Sequence, residues 1–154
     1  MVPARYQGIT AQDIPVVDVS NGAGKLRVIA GEYPSARGPA NTWSPMQVWD
    51  LDFESSTQVT LPAEAGWTTA VLVLAGELTT LGENPSQVRD GELASFERAG
   101  SGVEFSVTAG TKLLFLSGEP IDEPVVGYGP FVMNTDVEIR QAFVDFQSGK
   151  MGKL

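Results

Sequence analysis

Glycine and proline are spread along the whole sequence, and this is the feature that most limits the folds open to the chain. Its 17 glycines and 10 prolines divide it into short segments. Apolar segments of strand length that each end in a turn are typical of all-β domains. The spacing predicts about eight or nine strands at intervals of roughly ten residues, which favours a barrel or sandwich. At 154 residues, the chain has the length of one domain.

Two of the predicted strands carry specific expectations. Met46–Phe53 alternates apolar and polar residues, so one face is predicted to be buried and the other wet. Thr68–Ala75 is almost continuously aliphatic, which predicts a strand covered on both faces. Ala109 and Gly110 separate two further strands and predict a hairpin turn. The remaining strands are predicted at Leu26–Glu32, Thr57–Leu61, Gly76–Leu81, Glu92–Phe96, Val103–Val107 and Thr111–Ser117.

Asp50 and Asp52 alternate with apolar residues and therefore share one face of their strand. If that face points inward, the two carboxylates would repel and share a proton, as in a catalytic pair. If it points outward, they are the solvent side of a half-buried strand. The burial required by Trp49 on the opposite face favours the outward orientation.

The end of the sequence changes to a helical pattern. Thr135 followed by Glu138 forms a capping box, and Gly149 suits the residue after a helix end. We therefore predict two parts, a β-barrel over residues 1–133 and an amphipathic helix over residues 134–150. The helix packs either on its own barrel or on a partner. The residues at helical spacing on its apolar face are Ile139, Ala142, Phe143 and Phe146.

Several segments carry a family resemblance. Leu61–Leu78, with its glycine-bearing loop and Gly-Glu turn, resembles the first motif of cupins. Gly118–Thr135 and the helix are similar to the C-terminal cupin domain of the pirin family, and Pro3–Gln7 with Ile14–Val17 resembles the linker and first strand of that domain. The resemblance implies an all-β cupin barrel, a double-stranded β-helix or jelly roll of two facing antiparallel sheets, with one C-terminal α-helix.

Members of the pirin family have two cupin barrels in one polypeptide. The N-terminal barrel holds a metal with three histidines and one glutamate. Some members oxidise flavonols such as quercetin, and others act as transcriptional cofactors. The positions of this chain that align with the metal ligands are near Pro62, Glu64, Phe105 and Val107. The sequence has no histidine and no cysteine. We therefore expect no imidazole-bound transition metal, no cofactor and no catalytic residue in this chain.

Aromatic residues on or beside the predicted strands could fill the barrel or line a pocket for one small ligand. A pocket would be apolar and open at the end bounded by Tyr33–Pro45. Its candidate residues are Trp43, Trp49, Trp67, Phe96, Phe105 and Phe115.

Charge and hydropathy exclude some classes of partner. The formal net charge is −9, and the ten lysines and arginines are scattered, so direct binding to nucleic acid is not expected. No apolar run approaches the roughly 20 residues that span a bilayer, so we expect no membrane contact. The absence of cysteine fits a reducing compartment, and a cytoplasmic location is expected.

From these observations we expect a metal-free, non-catalytic pirin-like module, not an enzyme by itself. It would act by assembly, as a homodimer or with a metal-bearing cupin, through the helix face of Ile139, Phe143 and Phe146. Three alternatives remain open. They are a component of a quercetin-dioxygenase-type pirin enzyme, a small-molecule-binding barrel, and a transcriptional cofactor that works through protein contacts.

Overall fold

The computed structural model describes residues 5–151. Pro3 and Ala4, which belong to the resemblance with the pirin linker, lie outside this range, as does the start of the predicted 1–133 domain. The chain divides into two compact units, Met1–Pro120 and Ile121–Leu154. Residues 121–133 therefore belong to the unit that contains the helix, whereas the sequence placed the boundary after residue 133. Within residues 5–151, no helix is long and apolar enough to cross a membrane.

Short strands make up nearly half of the described residues, and one α-helix follows them. In chain order they are β1 (Val16–Val19), β2 (Gly24–Ala30), β3 (Glu32–Tyr33), β4 (Ala36–Arg37), β5 (Met46–Phe53), β6 (Thr57–Pro62), β7 (Thr68–Ala75), β8 (Glu77–Thr80), β9 (Gln87–Arg89), β10 (Leu93–Phe96), β11 (Gly102–Val107), β12 (Lys112–Gly118), β13 (Val126–Tyr128), β14 (Phe131–Met133) and α1 (Asp136–Gln147).

Two antiparallel sheets form the first unit. The larger sheet has the strand order β1-β2-β5-β12-β7-β10, and the smaller has the order β6-β11-β8-β9. Strands that are adjacent in a sheet are mostly not consecutive in sequence, so the chain crosses repeatedly from one sheet to the other. This is the double-sheet jelly-roll arrangement. It agrees with the predicted all-β architecture.

The predicted alternation in β5 is confirmed, and it shows how the core is built. Trp49, Leu51 and Phe53 are fully buried. Trp49 stacks on Phe115 of β12, with ring centroids 4.5 Å apart and an angle of 11° between the planes. Phe105 of β11 belongs to the same core and comes from the smaller sheet. Each such side chain contributes roughly 1.5–3 kcal/mol by its burial, so side chains of both sheets hold the barrel together.

Asp50 and Asp52 lie on the outer side of the larger sheet, opposite the buried residues of β5. Asp50 forms an ion pair with Arg27 of β2. Asp52 pairs with Lys112 of β12, with 3.1 Å between the carboxylate oxygen and the ammonium nitrogen. Each carboxylate has its own cationic partner, so the two do not form an inward-facing catalytic pair.

Within this chain, β7 is covered on one face only, contrary to the prediction. Thr69, Val71 and Val73 are buried in the core. On the other face, Leu72 is only half-buried and Leu74 is 47% exposed. A continuous aliphatic run does not distinguish a strand buried on two faces from one with an exposed apolar outer face.

The predicted hairpin at Ala109 and Gly110 is also corrected. A turn does occur there, with Gly110 in the left-handed region at a φ of 83°. However, β11 before the turn pairs with β6 and β8, whereas β12 after it pairs with β5 and β7. The turn therefore connects the two sheets. Turn chemistry fixes the local reversal but does not decide which strands pair.

The second unit consists of the β13–β14 hairpin and helix α1. The Thr135 hydroxyl accepts a hydrogen bond from the Glu138 backbone N–H at 3.3 Å, and a Glu138 carboxylate oxygen accepts one from the Asn134 backbone N–H at 3.2 Å. Gly149 follows the helix with a φ of 75°. The predicted Thr135 cap and C-terminal glycine are therefore confirmed, and the Glu138 carboxylate reaches the N–H one residue before the N-cap instead of that of Thr135 itself.

Aromatic residues of α1 pack against the hairpin within the second unit. Phe143 contacts Tyr128 and Phe131, with ring centroids 5.6 Å and 4.9 Å apart. Phe146 lies 6.1 Å from Phe131 and is 63% exposed. Ile139 is buried. Of the three residues predicted for an interface, Phe146 therefore leaves the largest fraction of its side chain accessible to a partner.

Candidate functional site

A large cleft of the first unit lies beside the end of the barrel. It is a cleft of about 840 Å³ between residues 31–47 and the segment from Pro62 to Trp67. We call it the loop cleft. Its volume falls in the range of roughly 300–1,000 Å³ that is usual for small-molecule sites.

Backbone contacts fix the wall of the loop cleft. The Gly38 N–H donates to the Gly31 carbonyl at 2.9 Å, and the Ala40 N–H donates to the Ile29 carbonyl at 3.1 Å. Gly31 has a φ of 76°, and a Cβ there would collide with the carbonyl oxygen of Met46. The chain can therefore make this close approach only with glycine at position 31. These contacts hold the wall in one conformation.

The segment before β1 is bound to the same wall. The Gln7 amide donates to the Pro39 carbonyl at 2.7 Å and accepts from the Asn41 N–H at 2.9 Å. The Arg5 guanidinium lies 4.3 Å from the centre of the Trp43 ring, a cation–π distance. Trp43 nevertheless remains 61% exposed. An exposed tryptophan held by an arginine is thus presented at the edge of the loop cleft.

Polar side chains line the inner end of the barrel near the loop cleft. Gln47, Ser117 and Thr69 are in register across β5, β12 and β7. The hydroxyls of Thr69 and Ser117 are hydrogen-bonded to each other at 2.9 Å and are buried. In contrast, Gln47 Oε1 and Trp49 Nε1 are buried without a hydrogen-bond partner. An unpaired buried polar atom costs on the order of 1–3 kcal/mol, so a partner for Gln47 would be stabilising.

The predicted pocket residues separate into three groups. Trp43 and Trp67 line the loop cleft. Phe96 is half-buried and packs against the core. Trp49, Phe105 and Phe115 are fully buried core residues, so the interior of the barrel is filled at their positions.

The loop cleft opens beside Tyr33–Pro45, where the sequence placed a pocket, but it is not apolar. Arg5, Glu32, Arg37 and Glu64 all line it. Arg37 pairs with Glu32 at 3.1 Å. The predicted pocket residues are all aromatic, so Arg5, Glu32 and Arg37 were not predicted in the cleft, and Glu64 was named only as a position aligned with a metal ligand. Gln47 and Tyr33 were not predicted either. Gln47 lies two residues before Trp49, and this spacing places Gln47 and Trp49 on the same inward face of β5.

The residues at the positions expected for metal ligands do not fit a transition-metal centre. Pro62 and Glu64 line the loop cleft, whereas Phe105 and Val107 lie in the core with hydrocarbon side chains. Among residues 5–151, no group of three or more histidine, cysteine or acidic side chains is arranged to hold a metal. The single carboxylate of Glu64 does not make a binding site for iron, copper or nickel.

Comparison with known proteins identifies the family. Residues 48–152 match the model of the pirin C-terminal cupin domain. The chain belongs to the pirin family. Pirin-1 of Arabidopsis thaliana is 32% identical over 158 residues, and a Pseudomonas aeruginosa protein named "Putative quercetin 2,3-dioxygenase" is 44% identical over 150 residues. These matches cover 99% and 97% of this chain.

A solved structure confirms the fold. The crystal structure of quercetin 2,3-dioxygenase from Acinetobacter baumannii is 44% identical and superposes with a TM-score of 0.88. The match covers 99% of this pirin-family chain and 52% of the other chain. The predicted family and the predicted cupin fold are therefore both confirmed. The chain spans about half the length of the relatives it matches, with 51% of the Pseudomonas protein and 53% of pirin-1 covered.

The expectation of a non-catalytic module that is not an enzyme is wrong. It is overturned by relatives that match nearly the whole chain at 44% identity and carry the name quercetin 2,3-dioxygenase. The sequence reasoning excluded activity because the chain has no histidine and no cysteine. These relatives are about twice as long as this chain, so the residues that perform their chemistry need not lie in the part that this chain matches.

Proposed function

We propose that this chain is a component of an enzyme of the quercetin 2,3-dioxygenase type, in which it forms the C-terminal cupin. The observation that carries the proposal is the 44% identity, over nearly the whole chain, to proteins that bear this name. The match of residues 48–152 to a C-terminal cupin domain supports the position within the enzyme. Quercetin or a related flavonol is the proposed substrate of the assembled enzyme.

In this proposal, the residues that hold a catalytic metal belong to a second cupin. The side chains of this chain support that assignment. At two of the positions aligned with metal ligands, Phe105 and Val107 have buried hydrocarbon side chains, which cannot bind a metal. The barrel of this chain would itself bind no transition metal. It would support the assembled enzyme by packing and by shaping the surface beside the second barrel. We place the enzyme in the cytoplasm, which suits a chain without cysteine.

The outer face of the larger sheet is the surface that we propose for this contact. Leu114, Leu72 and Leu93 are in register across β12, β7 and β10. Leu93 is 54% exposed, and Leu74, farther along β7, is 47% exposed. Exposed apolar side chains that lie next to one another mark interaction sites on protein surfaces. The occupant that we propose is the metal-bearing cupin of the same enzyme.

Copurification tests the proposed contact. This chain, without a histidine tag, is co-expressed with the half of the Acinetobacter enzyme that it does not cover. We expect the two to copurify and to consume quercetin, and we expect Leu74→Glu and Leu93→Glu to weaken the complex. Leu81→Glu is the matched control, because Leu81 is 41% exposed but lies after β8 of the smaller sheet. Copurification that is unaffected by all three substitutions would contradict the proposed surface.

A further inference from the structure

The loop cleft carries an inference that is separate from the metal centre of the assembled enzyme. Trp43, Trp67 and Tyr33 line it, and Trp43 is 61% exposed. Aromatic rings prefer to stack on, or pack edge to face with, other planar rings. An exposed tryptophan at the edge of a cleft is therefore suited to a flat aromatic ligand.

The charges in the loop cleft argue against an anionic ligand such as a nucleotide. Its two arginines and two glutamates balance in formal charge. Arg37 is paired with Glu32, and Arg5 is held by the Trp43 ring and by the Asn41 carbonyl, to which it donates at 3.1 Å. Each guanidinium already has a partner, and the cleft has no excess of positive charge to attract a phosphate. The cleft therefore favours a neutral ligand.

Gln47 adds a requirement for a hydrogen-bonding group. Its side chain lines the loop cleft, and its Oε1 is buried without a partner. Rotation of the amide by half a turn exchanges the oxygen and the nitrogen, so either can point toward a ligand. A hydroxyl group can donate to the oxygen or accept from the nitrogen, so it complements Gln47 in both orientations.

We propose that the loop cleft binds a neutral, planar, hydroxylated aromatic compound, stacked against Trp43 or Trp67 and hydrogen-bonded to Gln47. A volume of about 840 Å³ accommodates a ligand of two or three rings. The wall is held by the backbone hydrogen bonds of Gly38 and Ala40, so little ordering accompanies binding. The inference rests on the proposed function only for the choice of probe, which is quercetin.

Isothermal titration calorimetry of the chain with quercetin tests this site. The titration is done without a partner and in the presence of a chelator, so binding to a metal cannot contribute. We expect saturable binding that Trp43→Ala or Trp67→Ala weakens about tenfold. Gln47→Leu should weaken it about fivefold, which is the loss of one net hydrogen bond.

The control is Tyr128→Ala, which removes a 69% exposed aromatic side chain from the second unit. This variant should bind quercetin as the unmodified chain does. Circular dichroism melting curves show which variants keep the fold. Absence of saturable binding, or equal binding by Trp43→Ala, Trp67→Ala and Tyr128→Ala, would overturn the inference. The titration measures binding and not turnover. If only the proposed enzyme function fails, the chain still binds quercetin normally but the assembled protein does not consume it.

Discussion

Thr111 joins the two sheets, and its removal gives the sharpest test of how the barrel is held together. It is fully buried just before β12 of the larger sheet. Its hydroxyl accepts from the Glu77 backbone N–H at 3.2 Å and donates to the Glu77 carbonyl at 3.1 Å. Glu77 begins β8 of the smaller sheet. One hydroxyl therefore satisfies two backbone groups of the opposite sheet.

Thr111→Val keeps the shape of the side chain and removes both hydrogen bonds to Glu77, together with the contact to the Thr108 hydroxyl at 3.1 Å. A net hydrogen bond contributes about 1 kcal/mol, and an unsatisfied backbone group adds to the loss, so we expect the free energy of unfolding to fall by about 2–3 kcal/mol. Thr111→Ser keeps the hydroxyl and removes one methyl group, which should cost only about 1 kcal/mol. The difference between the two variants isolates the hydrogen bonds from the packing.

Urea denaturation monitored by circular dichroism measures both variants. The expected order of stability is the unmodified chain, then Thr111→Ser, then Thr111→Val, with an unchanged dependence on urea. If Thr111→Val were as stable as Thr111→Ser or more so, the hydroxyl would not join the sheets and the reasoning would be refuted.

Three further predictions use the same unfolding assay. Gly76→Ala should cost more than about 2 kcal/mol, because Gly76 has a φ of 82° and an added Cβ would lie 2.6 Å from the Thr111 hydroxyl oxygen. Gly91→Ala, at a φ of 79° but in open space, should cost less. Thr135→Ala should cost about 1 kcal/mol through loss of the helix cap. Trp49→Ala should cost about 3–5 kcal/mol, whereas Trp43→Ala should change stability by less than about 1 kcal/mol, because only Trp49 is buried. Equal losses within either pair would contradict the structure.

Periodicity predicted the longer strands because each of them has one buried face. It missed the short strands β3, β4, β13 and β14, which contain no buried residue. The bounds of β5 and β7 agree with the prediction, and Thr135 and Gly149 mark the helix ends through their capping chemistry. Pairing was harder to predict. The turn at Ala109–Gly110 was predicted to be a hairpin because a turn that connects two sheets has the same local sequence as a hairpin turn within one sheet.

The site was only partly predictable. The location beside Tyr33–Pro45 followed from a long loop next to a barrel end. The sequence did not show which aromatic residues line the cleft and which fill the core. Trp43 and Trp49 both lie near or in strand β5, and only the fold shows that Trp43 is exposed and Trp49 is buried. Gln47 is a polar residue in phase with the apolar Trp49 and Leu51 of β5, and that departure from the alternation was the available signal.

The most direct test of the central claim is quercetin consumption by a chimera. In the Acinetobacter baumannii quercetin 2,3-dioxygenase, the half that this chain matches is replaced by this chain, and the metal content and the rate are compared with those of the unmodified enzyme. If the chain is a component of such an enzyme, the chimera should bind metal equally and consume quercetin at a rate within about tenfold of the original. A folded, metal-loaded chimera that consumes no quercetin would contradict the claim.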